Sequence, residues 1–239
     1  MKTKNFILIG ALCTCLLYCS KERLLDDNGN PQASTLKTLT VKVEDGSVLN
    51  SKIDEVRVIT NVYSCAKCSE MLAPILLAEG NFTNGGFMIT LPTSSEIHSI
   101  TDGIQNMMNS NEWRYDRFYV PEDVNVNNPY ANSQTVAITI VASKSGEDFG
   151  IFTYENRNKN IEGVLIYADS DITLNGTSSE MTYTEDGITY YYEYNISLKK
   201  GWNFVYAILT SSAMSKTANV LITTTPQSGM KWYFSENYF

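Results

Sequence analysis

A polar–apolar alternation with a period of two is the feature that most constrains how this chain folds. In residues 188–198, tyrosine, isoleucine or leucine occupies every second position from Tyr190 to Leu198. Successive side chains of a β-strand point to opposite faces, so these residues share one face of a strand and Tyr191 lies on the other. We expect the shared face to be buried and Tyr191 to be exposed.

Comparable segments recur through the C-terminal half at intervals of about 8–12 residues, with turn residues between them, and predict strands that include 136–141, 171–174 and 181–184. Asp186-Gly187 predicts a hairpin turn before residue 188, and Asn84-Gly85-Gly86 predicts another. Thr93-Ser94-Ser95-Glu96 has the spacing of a helix capping box, and apolar residues follow it at helical intervals. We therefore predict an all-β protein, an antiparallel β-sandwich of the immunoglobulin or transthyretin type, with one short helix near residues 95–108.

The first eighteen residues differ from the rest of the chain. Lys2 and Lys4 precede an uncharged apolar run of twelve residues, 6–17. A membrane span needs about 20 apolar residues, whereas the apolar region of a secretory signal is shorter. We predict a signal peptide at 1–18, followed by a polar, flexible stalk at 19–34.

Two further features bear on organisation and partners. The Asn-rich stretch 109–133 contains Pro121 and Pro129 and predicts a long connection. It divides an N-terminal β-rich domain at 35–130 from a C-terminal β-sandwich domain at 131–239. The formal net charge of −8 argues against nucleic acid as a partner, because phosphate binding needs clustered Lys and Arg.

The end of the signal-like segment carries a family resemblance. Leu16-Leu17-Tyr18-Cys19 resembles a bacterial lipobox, which implies a lipid anchor on Cys19, with Cys15 and then Cys13 as alternatives. The Ser-Lys-Glu that follows resembles the start of Bacteroidota lipoproteins exported to the outer membrane or the cell surface. Segments 79–92, 162–177, 198–206 and 229–234 are similar to uncharacterised β-rich envelope lipoproteins of the same phylum. The resemblance implies an outer-membrane-anchored sandwich protein facing the periplasm or the cell surface, and it implies no reaction.

Cys65-Ala66-Lys67-Cys68 is the sharpest candidate for chemistry. A β-branched run precedes it and the apolar segment 69–77 follows it, which resembles the strand, CxxC and helix of thioredoxin-like proteins. That resemblance implies a reactive thiolate at Cys65 and a resolving thiol at Cys68. The alternative, which we favour, is structural: a local disulfide between Cys65 and Cys68, or two thiols, in a loop of an exported protein.

The remaining titratable residues give little support for a metal site or a catalytic site. His98 is the only histidine, and it falls on the polar side of the predicted helix, where we expect it to be solvated. One histidine and one cysteine pair make a four-ligand zinc site a poor prospect. Asp169-Ser170-Asp171 and Glu185-Asp186 are candidate calcium ligands or glycosidase carboxylates, but acidic residues also favour turns for backbone reasons. We predict no metal and no cofactor.

Aromatic residues outside the predicted core are the candidates for ligand binding. They are Trp113, Tyr115 and Tyr119 in the long connection, together with Tyr191. We predict a non-catalytic protein of the cell envelope that works in binding or assembly, with a glycan or an envelope protein as partner and the membrane reached through the lipid. One alternative is a thiol-disulfide oxidoreductase using Cys65 and Cys68. Another is an adhesin or pilus-type subunit, which would require a removable edge strand.

Overall fold

The computed structural model describes residues 37–64, 71–107, 113–115, 121, 123–128, 135–185, 188–211 and 217–236. Within them the chain forms fifteen strands and one α-helix, which confirms the predicted all-β, sandwich-like fold with one short helix. The strands are β1 Thr38–Lys42, β2 Glu55–Ser64, β3 Met71–Thr83, β4 Gly86–Thr90, β5 Trp113–Tyr115, β6 Asn125–Val126, β7 Thr135–Ala137, β8 Thr139–Lys144, β9 Glu147–Asn156, β10 Ile161–Ala168, β11 Ile172–Glu185, β12 Ile188–Leu198, β13 Gly201–Ser211, β14 Thr217–Thr223 and β15 Lys231–Glu236; the helix is α1 Ser94–Met107.

The strands build one large, mostly antiparallel sheet that is not closed. Its order is β1-β4-β3-β2-β8-β9-β10-β13-β14-β12-β11-β6, with β15 on β9, β5 on β2 and β7 on β10. The sheet is strongly curled. An isolated parallel bridge shows this, since it joins Val43, which directly follows β1, to Trp232 in β15. Strands far apart in the order therefore face a common interior.

That interior holds the first of two hydrophobic cores. At its centre the rings of Phe82 and Phe87 pack against the fully buried Phe152, and Phe87 also meets Trp232 edge-on. The first core thus combines strands from both sides of residue 130. The domain boundary predicted near residue 130 stays a prediction. Because the two halves share this core, we expect them to unfold together. Other members of the first core include Leu39, Val41, Val56, Val58, Ile89, Ile97, Ile140, Leu165, Tyr167, Trp202 and Tyr206.

The second core lies on the opposite side of β10 and β13. Along β10, Leu165 points into the first core whereas Val164 and Ile166 point into the second, and the strand is buried on both faces. β10 and β13 therefore form the wall that separates the two cores. The second core is closed by residues of β11, β12 and β14, among them Ile172, Leu174, Tyr192, Tyr194, Ile196, Val220 and Ile222.

The strand order departs from a simple succession of hairpins at β14. β14 pairs with β13 antiparallel and with β12 parallel, so it lies between two strands that the short turn at Lys199-Lys200 joins. At that turn the side-chain Nδ2 of Asn203 donates to the backbone carbonyls of Lys199 and Gly201 at 2.6 and 2.7 Å. Beyond the turn β12 and β13 are not paired with each other, and β14 lies between them.

In three places the strands differ from those predicted from the sequence. The segments predicted as separate strands at 171–174 and 181–184 belong to one strand, β11, whose pairing with β12 shifts register between Ser178 and Tyr183. The strand predicted at 136–141 is interrupted at Ile138, so that β7 pairs with β10 and β8 with β2 and β9. The long connection at 109–133 contains two short strands, β5 and β6.

Candidate functional site

The Tyr-rich strand β12 shows the predicted alternation. Tyr192 and Tyr194 are buried in the second core, while Tyr191 is 47% exposed. The outward residues that follow it, Glu193 and Asn195, are exposed as well. Tyr191 is therefore a large aromatic side chain that the fold leaves at the surface.

The exposed side chains on the outward side of β11, β12 and β14 are polar and mostly uncharged, and the half-buried Leu221 of β14 lies among them, opposite Glu193. In the strand register Tyr191 lies beside Asn219 of β14, and Asn195 lies opposite Asn175 of β11. Glu193 lies opposite Thr177 and is the one charged residue among the exposed side chains of this group. We call this surface the Tyr191 face, which comprises Asn175, Thr177, Tyr191, Glu193, Asn195, Ser197 and Asn219, all exposed.

The capping box at the start of α1 is formed as predicted. The backbone N–H of Thr93 donates to Oε2 of Glu96 at 2.7 Å, and the backbone N–H of Glu96 donates to Oγ1 of Thr93 at 3.4 Å. These hydrogen bonds from Thr93 lower the pKa of the Glu96 carboxyl. The reciprocal pair satisfies N–H groups that the first helical turn leaves without partners.

Long-range contacts then hold this helix end against the wall between the cores. The hydroxyl of Tyr167 on β10 donates to Oγ of Ser94 at 2.6 Å. The buried indole N–H of Trp202 on β13 donates to the carbonyl of Pro92 at 2.9 Å, and its ring packs edge-on against Tyr167. Burial raises the pKa of the Tyr167 phenol, so the group stays a neutral donor.

We expected His98 to be solvated, but it also contacts a residue of the same junction. Its Nε2 lies 2.8 Å from Oδ1 of Asp169, which directly follows β10, and the two side chains are 45% and 31% exposed. The Asp169 oxygen in this contact is buried. Ser94, His98, Tyr167 and Asp169 together dock the helix onto the sheet.

The predicted acidic candidates are largely accounted for by such contacts. Asp171 accepts from Nζ of Lys199 at 2.7 Å and from the backbone N–H of Lys200 at 2.9 Å, and the Lys199 hydrogen bond is the main reason that its pKa is lowered. The side chains of Glu185 and Asp186 lie outside those that the structure describes. Across the described ranges, no group of three or more His, Cys, Asp or Glu residues could hold a metal ion.

A pair of glutamates that sequence reasoning missed lies on the hairpin of β9 and β10. Glu155 and Glu162 are directly opposite each other in the strand register, on the side of β10 that carries Val164. Burial, and secondarily the charge of Glu155, raise the pKa of Glu162 to about 8. The spacing could have revealed the pair, since residues equally distant from the centre of a hairpin turn meet across it.

Most of the predicted site residues lie where the structure gives no side-chain detail. Cys19, Cys65, Cys68 and Tyr119 lie outside the described residues, and the side chains of Trp113 and Tyr115 in β5 are not described. In the backbone register, Trp113 pairs with Ser64, the last residue of β2.

The strands on either side of the cysteine pair are defined. β2 ends at Ser64 and β3 begins at Met71, and the two strands are antiparallel neighbours. The residues from Met71 onward thus form a strand, whereas a thioredoxin-like site needs a helix after the first cysteine. Among the predicted binding residues, Tyr191 is the one whose surface position the structure defines.

Comparison of the chain with protein-family models, with curated proteins and with solved structures gives no match. None of the helices in the described ranges is long and apolar enough to cross a membrane.

Proposed function

We propose that this chain is a lipid-anchored protein of the bacterial cell envelope that binds an uncharged glycan on the Tyr191 face. The observation that carries the proposal is the exposure of Tyr191 on a sheet surface built from amide and hydroxyl side chains. An aromatic ring packs its apolar face against the C–H groups of a sugar ring, and it does so at a low cost in side-chain entropy.

The neighbours of Tyr191 supply suitable polar partners for sugar hydroxyls. Asn175, Asn195 and Asn219 each offer one acceptor oxygen and two N–H donors. Glu193 offers carboxylate oxygens that accept from adjacent hydroxyls. Cross-strand pairing places Asn219 beside Tyr191 and Asn175 beside Asn195, so a saccharide chain lying along β12 can reach several of these groups.

Charge favours an uncharged ligand over an acidic one. The Tyr191 face carries no Lys or Arg, and the chain as a whole has a formal net charge of −8. A sulfated or uronic-acid polymer would therefore meet repulsion with no local cation to offset it. A neutral polymer avoids that repulsion.

The test is a binding screen of the purified protein on neutral and acidic polysaccharides, followed by calorimetry on any ligand found. We expect a neutral glycan to bind with little dependence on salt, and Tyr191→Ala to weaken binding about tenfold or more, which corresponds to about 1.4 kcal/mol or more.

Met88→Ala is the matched control, because Met88 is 65% exposed on β4 and lies outside the Tyr191 face. We expect it to bind like the wild type. Loss of binding in both variants, or in neither, would contradict the assignment to Tyr191. Salt-sensitive binding of an acidic polymer would contradict the choice of an uncharged ligand.

A further inference from the structure

Glu155 on β9 and Glu162 on β10 are directly opposite each other in the strand register. Glu162 lies on β10 on the same face as Val164 and Ile166, which belong to that core. Its cross-strand neighbours are Glu155 on β9 and Ala207 on β13. Like charges directly opposite each other across two strands are destabilising. The register thus creates a conflict whenever both glutamates are ionised.

The two nearby cations do not resolve this conflict. Arg157 donates to Oε1 of Glu155 at 2.9 Å, and its guanidinium stacks over the ring of Tyr233 at 3.7 Å. Lys231, which is opposite Glu155 on β15, instead binds Oε2 of Glu44 at 2.9 Å.

Glu155 accepts hydrogen bonds from Arg157 at 2.9 Å and from Oγ1 of Thr153 at 2.8 Å. In the described part of the chain Glu162 has neither a hydrogen bond nor an ion pair. The groups that face it are Glu155 and Arg157 from β9 and its turn, and Lys231 and Tyr233 from β15; β13 presents only Ala207. The lack of a partner at Glu162 is what makes it the member of the pair that keeps a proton.

We propose that Glu162 and Glu155 form a proton-dependent latch on the β9–β10 hairpin. While Glu162 holds one proton, the pair carries a single negative charge and the three residue pairs that join β9 to β10 stay formed. When the proton leaves to water or a buffer base, two carboxylates face each other, and this turn end of the hairpin opens so that both become hydrated. Glu162 is only partly buried, so water has access to the proton.

The direction of the pH effect follows from linkage. The folded state holds the Glu162 proton up to a pH of about 8, whereas a hydrated glutamate in the open state loses it near the ordinary glutamate pKa of 4.5. Between these values the closed state binds more protons than the open state. Its stability is therefore greatest at low pH, falls as the pH rises through this window, and levels off above it.

The test is amide hydrogen exchange of β9 and β10 in the full chain between pH 5 and 9, expressed as protection factors so that the intrinsic pH dependence of exchange is removed. For the wild type we expect the opening constant of this hairpin to rise up to about tenfold per pH unit until about pH 8. For Glu162→Gln, which mimics the protonated acid, we expect no dependence on pH. Glu147→Gln is the matched control, since Glu147 is an exposed glutamate on the same strand and should leave the wild-type slope unchanged.

A second measurement does not depend on the variant folding. Carbon-13 NMR of the wild-type Glu162 carboxyl should show it titrating several pH units above the exposed glutamates. A Glu162 midpoint below pH 5, or equal slopes in the wild type and in Glu162→Gln, would overturn the latch.

Discussion

Replacing Phe152 with alanine would test whether the two halves of the chain unfold as one unit. Phe152 is fully buried on β9, and its ring packs against Phe82 and Phe87 from the N-terminal half and against Phe234 from β15. Phe-to-Ala substitutions in a core cost about 3–5 kcal/mol, through lost transfer free energy and the cavity that remains. That range already includes lost ring contacts, and Phe152 takes part in three of them, each worth about 0.5–1.5 kcal/mol beyond its area burial. We therefore expect a cost in the upper part of the range, about 4–5 kcal/mol.

Two probes distinguish the cores in a urea titration. Tryptophan fluorescence, measured in a Trp113→Phe background, follows the first core, which contains Trp202 and Trp232. Hydrogen exchange at β12 and β14 follows the second core. Because β10 and β13 line both cores, we expect both probes to lose the same free energy in Phe152→Ala. The exposed control Met88→Ala should change stability by less than about 0.5 kcal/mol.

One result would refute this reasoning. If β12 and β14 kept wild-type protection while the fluorescence transition moved to lower urea, the second core would be stable without the first. The boundary predicted near residue 130 would then also be a boundary in stability. Coincident transitions would instead make the chain one cooperative unit.

Two further substitutions test local features. Gly85→Ala should cost about 1–3 kcal/mol in thermal or urea unfolding, because Gly85 has φ 73° and a β-carbon there would lie 2.8 Å from the backbone nitrogen of Ser47. Gly146→Ala, with φ 85° and open space around it, should cost clearly less, and equal costs would show that the close approach is unimportant. Tyr167→Phe should cost about 1 kcal/mol through loss of its hydrogen bond to Ser94. In a double-mutant cycle with Ser94→Ala, we expect the two stability losses to be non-additive. Strict additivity would show that this hydrogen bond does not contribute to stability.

Features set by neighbouring residues were predictable from the sequence. The burial of Tyr192 and the exposure of Tyr191 follow from strand alternation alone. The capping box of Thr93 and the turn at Asn84-Gly85 depend on residues within a few positions of each other. Such contacts need no knowledge of the fold.

Contacts between distant segments were not predictable in the same way. The indole of Trp202 reaches Pro92 across 110 residues, and Tyr167 reaches Ser94 across 73. No periodicity connects those positions, because the strand order that joins them is set by packing around two cores. The contact of His98 with Asp169 was not predicted for the same reason, since Asp169 follows β10, 71 positions further along the chain.

The position of β14 between β12 and β13 has a consequence for biosynthesis. During synthesis β12 and β13 emerge first, and their two-residue connection favours direct pairing into an ordinary hairpin. That pairing would occupy the edges that β14 needs on both sides, so it has to be avoided or undone before residues 217–223 can enter. Closing a strand into an existing gap is slower than local pairing. Insertion of β14 between β12 and β13 is therefore expected to be a late step in folding, one that must follow the separation of any hairpin they have formed.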